Sequence, residues 1–136
     1  MAVEHVEVRT RKRCEMLDVT GEVERTVRAS GLREGVCTVF VPHTTAAVTV
    51  NENADPTVSR DILKELETIV PFEDGYEHRE GNSAAHLKAS LFGPSVQLIV
   101  SGGRLLLGTW QGVYFCEFDG PRTRKLIVHI PGGGGP

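Results

Sequence analysis

The chain has 136 residues, with 15 Lys and Arg against 18 Asp and Glu, a formal charge of -3 and an isoelectric point of about 5.9. That length suits one domain able to bury its own core, and the acidic balance lacks the basic footprint through which proteins hold duplex nucleic acid. No apolar run approaches the length that spans a bilayer, and the N-terminus MAVEHVEVRT lacks the charged-then-apolar order of a signal peptide, so a cytoplasmic protein is expected, with neither nucleic acid nor membrane as partner.

In chain order, VEHVEVRT alternates apolar with polar residues through Val6 and Val8, the pattern of a strand with one wet face. Residues Lys12 to Leu17 offer it a hairpin partner. From Thr20 to Ser30, Val19, Val23 and Val27 recur every four residues; Thr20 is placed to cap this amphipathic helix and Gly31 to close it. After the turn REG, two strand-like runs, VCTVFVP and TAAVTVN, are separated by Pro42 and His43. Asp55 as N-cap and Pro56 at the first helical position begin a second helix, with Val58, Ile62, Leu66 and Ile69 on one face and Pro71 ending it.

The polar loop FEDGYEHREG leads into NSAAHLKASLFGP, a short helix that Asn82 or Ser83 would cap and Gly93-Pro94 would end. The remainder reads as strand: VQLIV, a Ser101-Gly-Gly turn, RLLLG, QGVYFCEF, a turn at Asp119-Gly-Pro, and TRKLIVHI. Residues 1–131 make one domain, an antiparallel sheet system with two or three helices, and 132–136, GGGGP in sequence, make a flexible glycine-rich tail. Cys14, Cys37 and Cys116 lie far apart without a CxxC pair, so they are expected as reduced thiols, Cys37 and Cys116 buried in strand-like runs.

Three clusters could carry chemistry. The first is HTTAAVTVNENADP, from His43 to Pro56, a short strand whose ends hold a histidine, two asparagines, a glutamate and an aspartate. It runs into a helix N-terminus, where unpaired N–H groups and the helix dipole favour an anion. The plainer reading is that Asp55 only caps the helix while Asn51 and Asn53 form turns. The second is YEHREGNSAAHLKASL. His78 and His86 could face one point and bind a divalent ion such as zinc, with His43, Glu52 or Asp55 as third ligand. Gly81, Asn82 and Ser83 could instead offer donors to a phosphate without any metal. The third is GTWQG, where Trp110 either stacks on an aromatic substrate ring beside Gln111 or fills a core or subunit contact. In EFDGPRTR, Arg122 and Arg124 either bind phosphate or decorate a solvated hairpin tip.

Together, HTTAAVTVNENADP, EGNSAAHLKASLFGPS, GGRLLLGTWQGVYFCEFDGPR and the terminal strand resemble the YjbQ family, small proteins described as secondary thiamine-phosphate synthases. The resemblance covers most of the chain from about Val36 onward. It implies an α+β fold with an antiparallel β-sandwich and two to three helices, assembled as a homotrimer. It also implies a site from His43, Asn53, Asp55, Gly81, Asn82, Ser83, His86, Trp110 and Gln111, with His78 as a further ligand. In that reading His43, Asn53, Asp55, His86, Trp110 and Gln111 act on the substrate, and Gly81, Asn82, Ser83 and Arg122 hold a phosphorylated metabolite. His78, His86 and Asp55 would hold a divalent metal, zinc or magnesium. The expected reaction joins a pyrimidine diphosphate to a thiazole phosphate. The alternatives are a metal-dependent hydrolase and a non-catalytic protein that binds a metal or a phosphorylated metabolite.

Overall fold

The computed structural model describes residues 2–131; the stretch 132–136, expected as a flexible tail, lies outside the described residues. The elements follow as β1 (Ala2–Arg9), β2 (Glu15–Asp18), α1 (Thr20–Ser30), β3 (Glu34–Phe40), β4 (Ala46–Glu52), α2 (Pro56–Ile69), α3 (Ser83–Phe92), β5 (Ser95–Ser101), β6 (Arg104–Leu105), β7 (Gln111–Glu117) and β8 (Thr123–Ile130). The fold is α+β, with two antiparallel sheets: five strands in the order β1-β8-β3-β5-β6 and three in the order β2-β7-β4.

Strand alternation decides what each sheet buries. On β3, β5 and β8 the inward positions are Cys37 and Val39, Leu98 and Val100, and Leu126, Val128 and Ile130. They meet Val48 of β4 and Val113 and Phe115 of β7 in one core that α1 seals with Val23 and Val27. Fully burying side chains of this size stabilises by about 1.5–3 kcal/mol each, before the cost of ordering the chain. The opposite face of β4 and β7, through Ala47, Tyr114 and Cys116, packs on Leu66 of α2 and on Ala85 and Ala89 of α3. Both buried thiols are inert: burial pushes Cys37 up to about 11 and Cys116 up to about 12.

The helix ends follow local chemistry, with one exchange of roles. Asp55 Oδ1 accepts from Thr57 N–H (2.9 Å) and Pro56 opens α2, while Gly31, with φ +76°, closes α1. At the start of α1, Thr20 is already helical and Asp18 does the capping, accepting from Thr20 N–H at 3.0 Å. The hydroxyl of Thr20 instead accepts from Val113 N–H (2.8 Å), tying α1 to β7.

Three expectations about pairing and packing need correction. The segment after β1 does not return as its hairpin partner: β2 pairs with β7 in the other sheet, because β8 occupies the edge of β1 along its whole length. RLLLG forms only a two-residue strand, since Leu107 turns inward to the core and Gly108 N–H is taken by Gln111 Oε1 (2.8 Å). Ile69 lies 63% exposed, because it is the last residue of α2 and only Leu66 of that face is buried.

Candidate functional site

β3 and β4 lie in different sheets, so Val41, Pro42 and His43 cross from one to the other. At this crossing the two inner faces run out together. On β7, Val113, Phe115 and Glu117 alternate inward; on β8, Arg124, Leu126, Val128 and Ile130 do. The last inward pair is therefore Glu117 and Arg124. Glu117 is 0% exposed and Arg124 5%, and two Arg124 nitrogens grip the carboxylate, Nε at 2.8 Å and Nη2 on the other oxygen. Thr10 Oγ1 (2.7 Å) and Asp119 N–H (3.0 Å) complete four donors to Glu117. Burial alone would raise the pKa of this carboxyl, but the bonds from Arg124, Thr10 and Asp119 outweigh it and hold Glu117 below the ordinary glutamate range.

Above this pair opens a cavity of about 670 Å³ whose walls include Phe40, His43, Thr45, His78, Glu80, Asn82, His86, Arg122 and Arg124. The rings of His78 and His86 meet edge to face with centroids 5.4 Å apart. Gly81, with φ +77°, lets the loop turn back so that its N–H reaches His78 O (3.3 Å) just before α3 starts. His43 has a fixed tautomer: Lys125 N–H donates to its Nε2 (2.9 Å), so the proton of the neutral ring sits on Nδ1. Burial and the nearby charge of Arg124 lower the His43 pKa below its ordinary value, with Glu117 pulling weakly the other way.

Asp119 joins the parts. Its Oδ2 accepts from Asn82 Nδ2 (2.9 Å) and from Arg122 Nη2 (3.0 Å), while its own N–H reaches Glu117. Asn82 is the N-cap of α3 but makes no side-chain cap bond, and its buried Oδ1 has no partner among the described residues.

Of the residues singled out in the sequence, the structure brings His43, His78, Asn82, His86 and Arg122 to this cavity, and Ser83 to an adjoining pocket shared by His78 and His86. Asn53, Asp55, Trp110 and Gln111 lie elsewhere. In the register of β4 and β7, Ala46 pairs with Glu117 and Glu52 with Gln111, so the two groups occupy opposite ends of one strand pair. Six residues at about 3.3 Å each separate them by about 20 Å. At the far end Asn53 Nδ2 donates to Asp18 (3.0 Å), Trp110 is 62% exposed and Asp55 caps α2. Asn53 packs over Gly112, where a Cβ would come within 2.6 Å of Asn53 Cγ, so the glycine of GTWQG serves a close approach. Asp55 does not join His78 and His86 within one chain, and among the described residues no three His, Cys, Asp or Glu side chains converge as metal ligands.

Glu117, Thr45 and Glu80 were not singled out as site residues, and Arg124 was weighed for phosphate binding against a solvated hairpin tip. The signal for Arg124 was its phase, two residues before Leu126 on the inward side of β8.

The family model described as UPF0047 protein YjbQ-like matches residues 4–133. The chain belongs to the YjbQ/UPF0047 family. Among YjbQ/UPF0047 proteins, YugU of Bacillus subtilis is 49% identical over 128 residues, covering 93% of this chain and 97% of its own. The crystal structure of a YjbQ/UPF0047 protein from Clostridium acetobutylicum, 51% identical, superimposes with a TM-score of 0.92 over 93% of this chain and 98% of that one. A hypothetical protein from Aeropyrum pernix, 40% identical, superimposes with a TM-score of 0.91 over 95% and 97%. No helix among the described residues is long and apolar enough to cross a membrane.

Proposed function

We propose that the cavity binds a small phosphorylated metabolite in the cytoplasm and acts on it as an enzyme, with coupling of a pyrimidine diphosphate to a thiazole phosphate as its reaction. The carrying observation is that three histidines and two arginines line one cavity. In the coupling, the thiazole nitrogen attacks the methylene of the pyrimidine; a carbon–nitrogen bond forms, the carbon–oxygen bond breaks, and pyrophosphate leaves with the electron pair. Arg122 and Arg124 offset the charge growing on that leaving group, and His86 or His78 donates a proton to it.

A divalent ion does not fit a complete protein ligand set within one chain, because Asp55 stands apart from His78 and His86. The metal-dependent hydrolase is the weaker reading, since it needs such a set among the described residues of one chain. The aromatic platform of Trp110 is also absent from this cavity, so ring stacking needs a second copy. A homotrimer would supply one. Its support is the outer face of the five-stranded sheet, where Val3, Val36, Phe40 and Ile99 stand exposed as a largely apolar surface around the pairs Val36–Ile99 and Phe40–Ile127. Phe40 belongs both to that face and to the cavity wall, so a neighbouring copy would border the site.

The test is product analysis with both ring substrates and with a panel of phosphate esters, for the parent and His86→Ala. Thiamine phosphate formed by the parent and lost in a folded His86→Ala supports the reading. Binding without turnover of any substrate would make the protein a non-catalytic binder and overturn it.

A further inference from the structure

The cavity's polar floor is more selective than a cluster of positive charge. Arg124 carries five N–H donors. Nε and Nη2 bind Glu117, and Nη2 also reaches Thr45 Oγ1 (2.9 Å). Its Nη1 has no bond within the described residues, although the residue is 5% exposed and lines the cavity. A guanidinium clamped along one edge presents the other without further loss of side-chain entropy, which suits a tetrahedral oxyanion.

Asn82 adds the opposite chemistry. It is 8% exposed and its Nδ2 is committed to Asp119, which fixes the amide orientation, because an oxygen facing that carboxylate would be repelled. The remaining Oδ1 is a buried acceptor without a donor, a state that costs about 1–3 kcal/mol until something donates to it. An anion whose oxygens all lack protons cannot do so. A phosphate that carries a proton can.

We propose that Arg124, clamped by Glu117, and Asn82, oriented by Asp119, form a receptor for one protonated phosphate group, with Nη1 donating to a charged oxygen and Asn82 Oδ1 accepting from P–OH. The proposal rests on the phosphorylated-metabolite reading above and adds the chemical form of the group that is held. It makes Arg124 and Asn82 ligand-contacting residues and Glu117 and Asp119 positioning residues.

The experiment is calorimetric titration of the full chain with inorganic phosphate and, separately, with sulfate at equal ionic strength and neutral pH. Sulfate has the same shape and no proton. The parent should bind phosphate at least about tenfold more tightly than sulfate, the scale of one charge-assisted bond gained against an unpaired acceptor. Asn82→Ala should bring the two affinities together, and Arg124→Lys should weaken both by about tenfold while keeping the charge beside Glu117. In ¹⁵N spectra the Arg124 Nε–H signal should be protected from exchange and should move on adding phosphate, a response that a purely structural arginine would not give. Equal affinity of the parent for phosphate and sulfate overturns the receptor even if phosphorylated metabolites are still turned over. Absence of binding to phosphate, pyrophosphate and every phosphorylated substrate overturns the receptor and the reading beneath it together.

Discussion

Removing Glu117 should be among the most damaging single changes to this protein, and the reason is Arg124 rather than the carboxylate itself. Glu117→Ala leaves a guanidinium that is 5% exposed without its counter-charge, and also removes the acceptor of Asp119 N–H (3.0 Å) and of Thr10 Oγ1 (2.7 Å), the latter keeping its bonds to the Arg122 backbone. Breaking one side of such a pair costs about 3–5 kcal/mol, against a total stability of about 5–15 kcal/mol for a domain. Arg124→Met alone should cost a similar amount, because it leaves the carboxylate buried instead. The double change Glu117→Ala with Arg124→Met removes both charges and should recover at least about 2 kcal/mol of the summed single losses. Urea unfolding of the four proteins measures this cycle directly. If the two single losses simply add, the pair is not an energetic unit and the account of the cavity floor is wrong.

Further outcomes follow from the same geometry. Because the bonds to Glu117 lower its pKa in the fold, its contribution is complete above the ordinary value of 4.5 and is lost as pH falls through the lower folded value; acid unfolding should therefore be less steep in Glu117→Gln. His43 should titrate below 6.5, and a midpoint above 6.5 would contradict its burial beside Arg124; the Lys125 contact predicts the Nδ1–H tautomer in ¹⁵N spectra. Gly120→Ala should lose about 1–3 kcal/mol by overpacking, since its Cβ would sit 2.8 Å from both Glu117 Cγ and Thr10 Oγ1. Asp55→Ala should lower the melting temperature through loss of the α2 cap, whereas Asp55→Asn should largely restore it; failure of asparagine to restore it would point to a role beyond capping.

Local chemistry was readable in the sequence where one segment decides its own shape. The valines of α1, the Asp55-Pro56 start of α2 and the left-handed Gly31 each act within a few residues. Pairing was harder, because nothing in Glu15–Asp18 says that β7, about a hundred residues away, is its partner. The same limit governed the site. HTTAAVTVNENADP reads as one cluster along the chain, but a strand is rigid and extended, so its two polar ends are held apart instead of being brought together. His43 then meets His78, Asn82 and His86 from a distant segment. Arg124 stayed between phosphate binding and a hairpin tip for another reason: at a strand end a charged residue fits either, and only its register with Leu126 and its pairing with Glu117 mark it as inward.

The proposed working site is the histidine and arginine cavity at the sheet crossing. An NMR titration of the full-length protein with pyrophosphate, with histidine, arginine and backbone signals assigned, tests it most directly. Saturable shifts are expected at His43, His78, His86, Asn82 and Arg124. Shifts confined to Asn53, Asp55 and Trp110 would place the anion at the opposite end of β4 and β7 and contradict it.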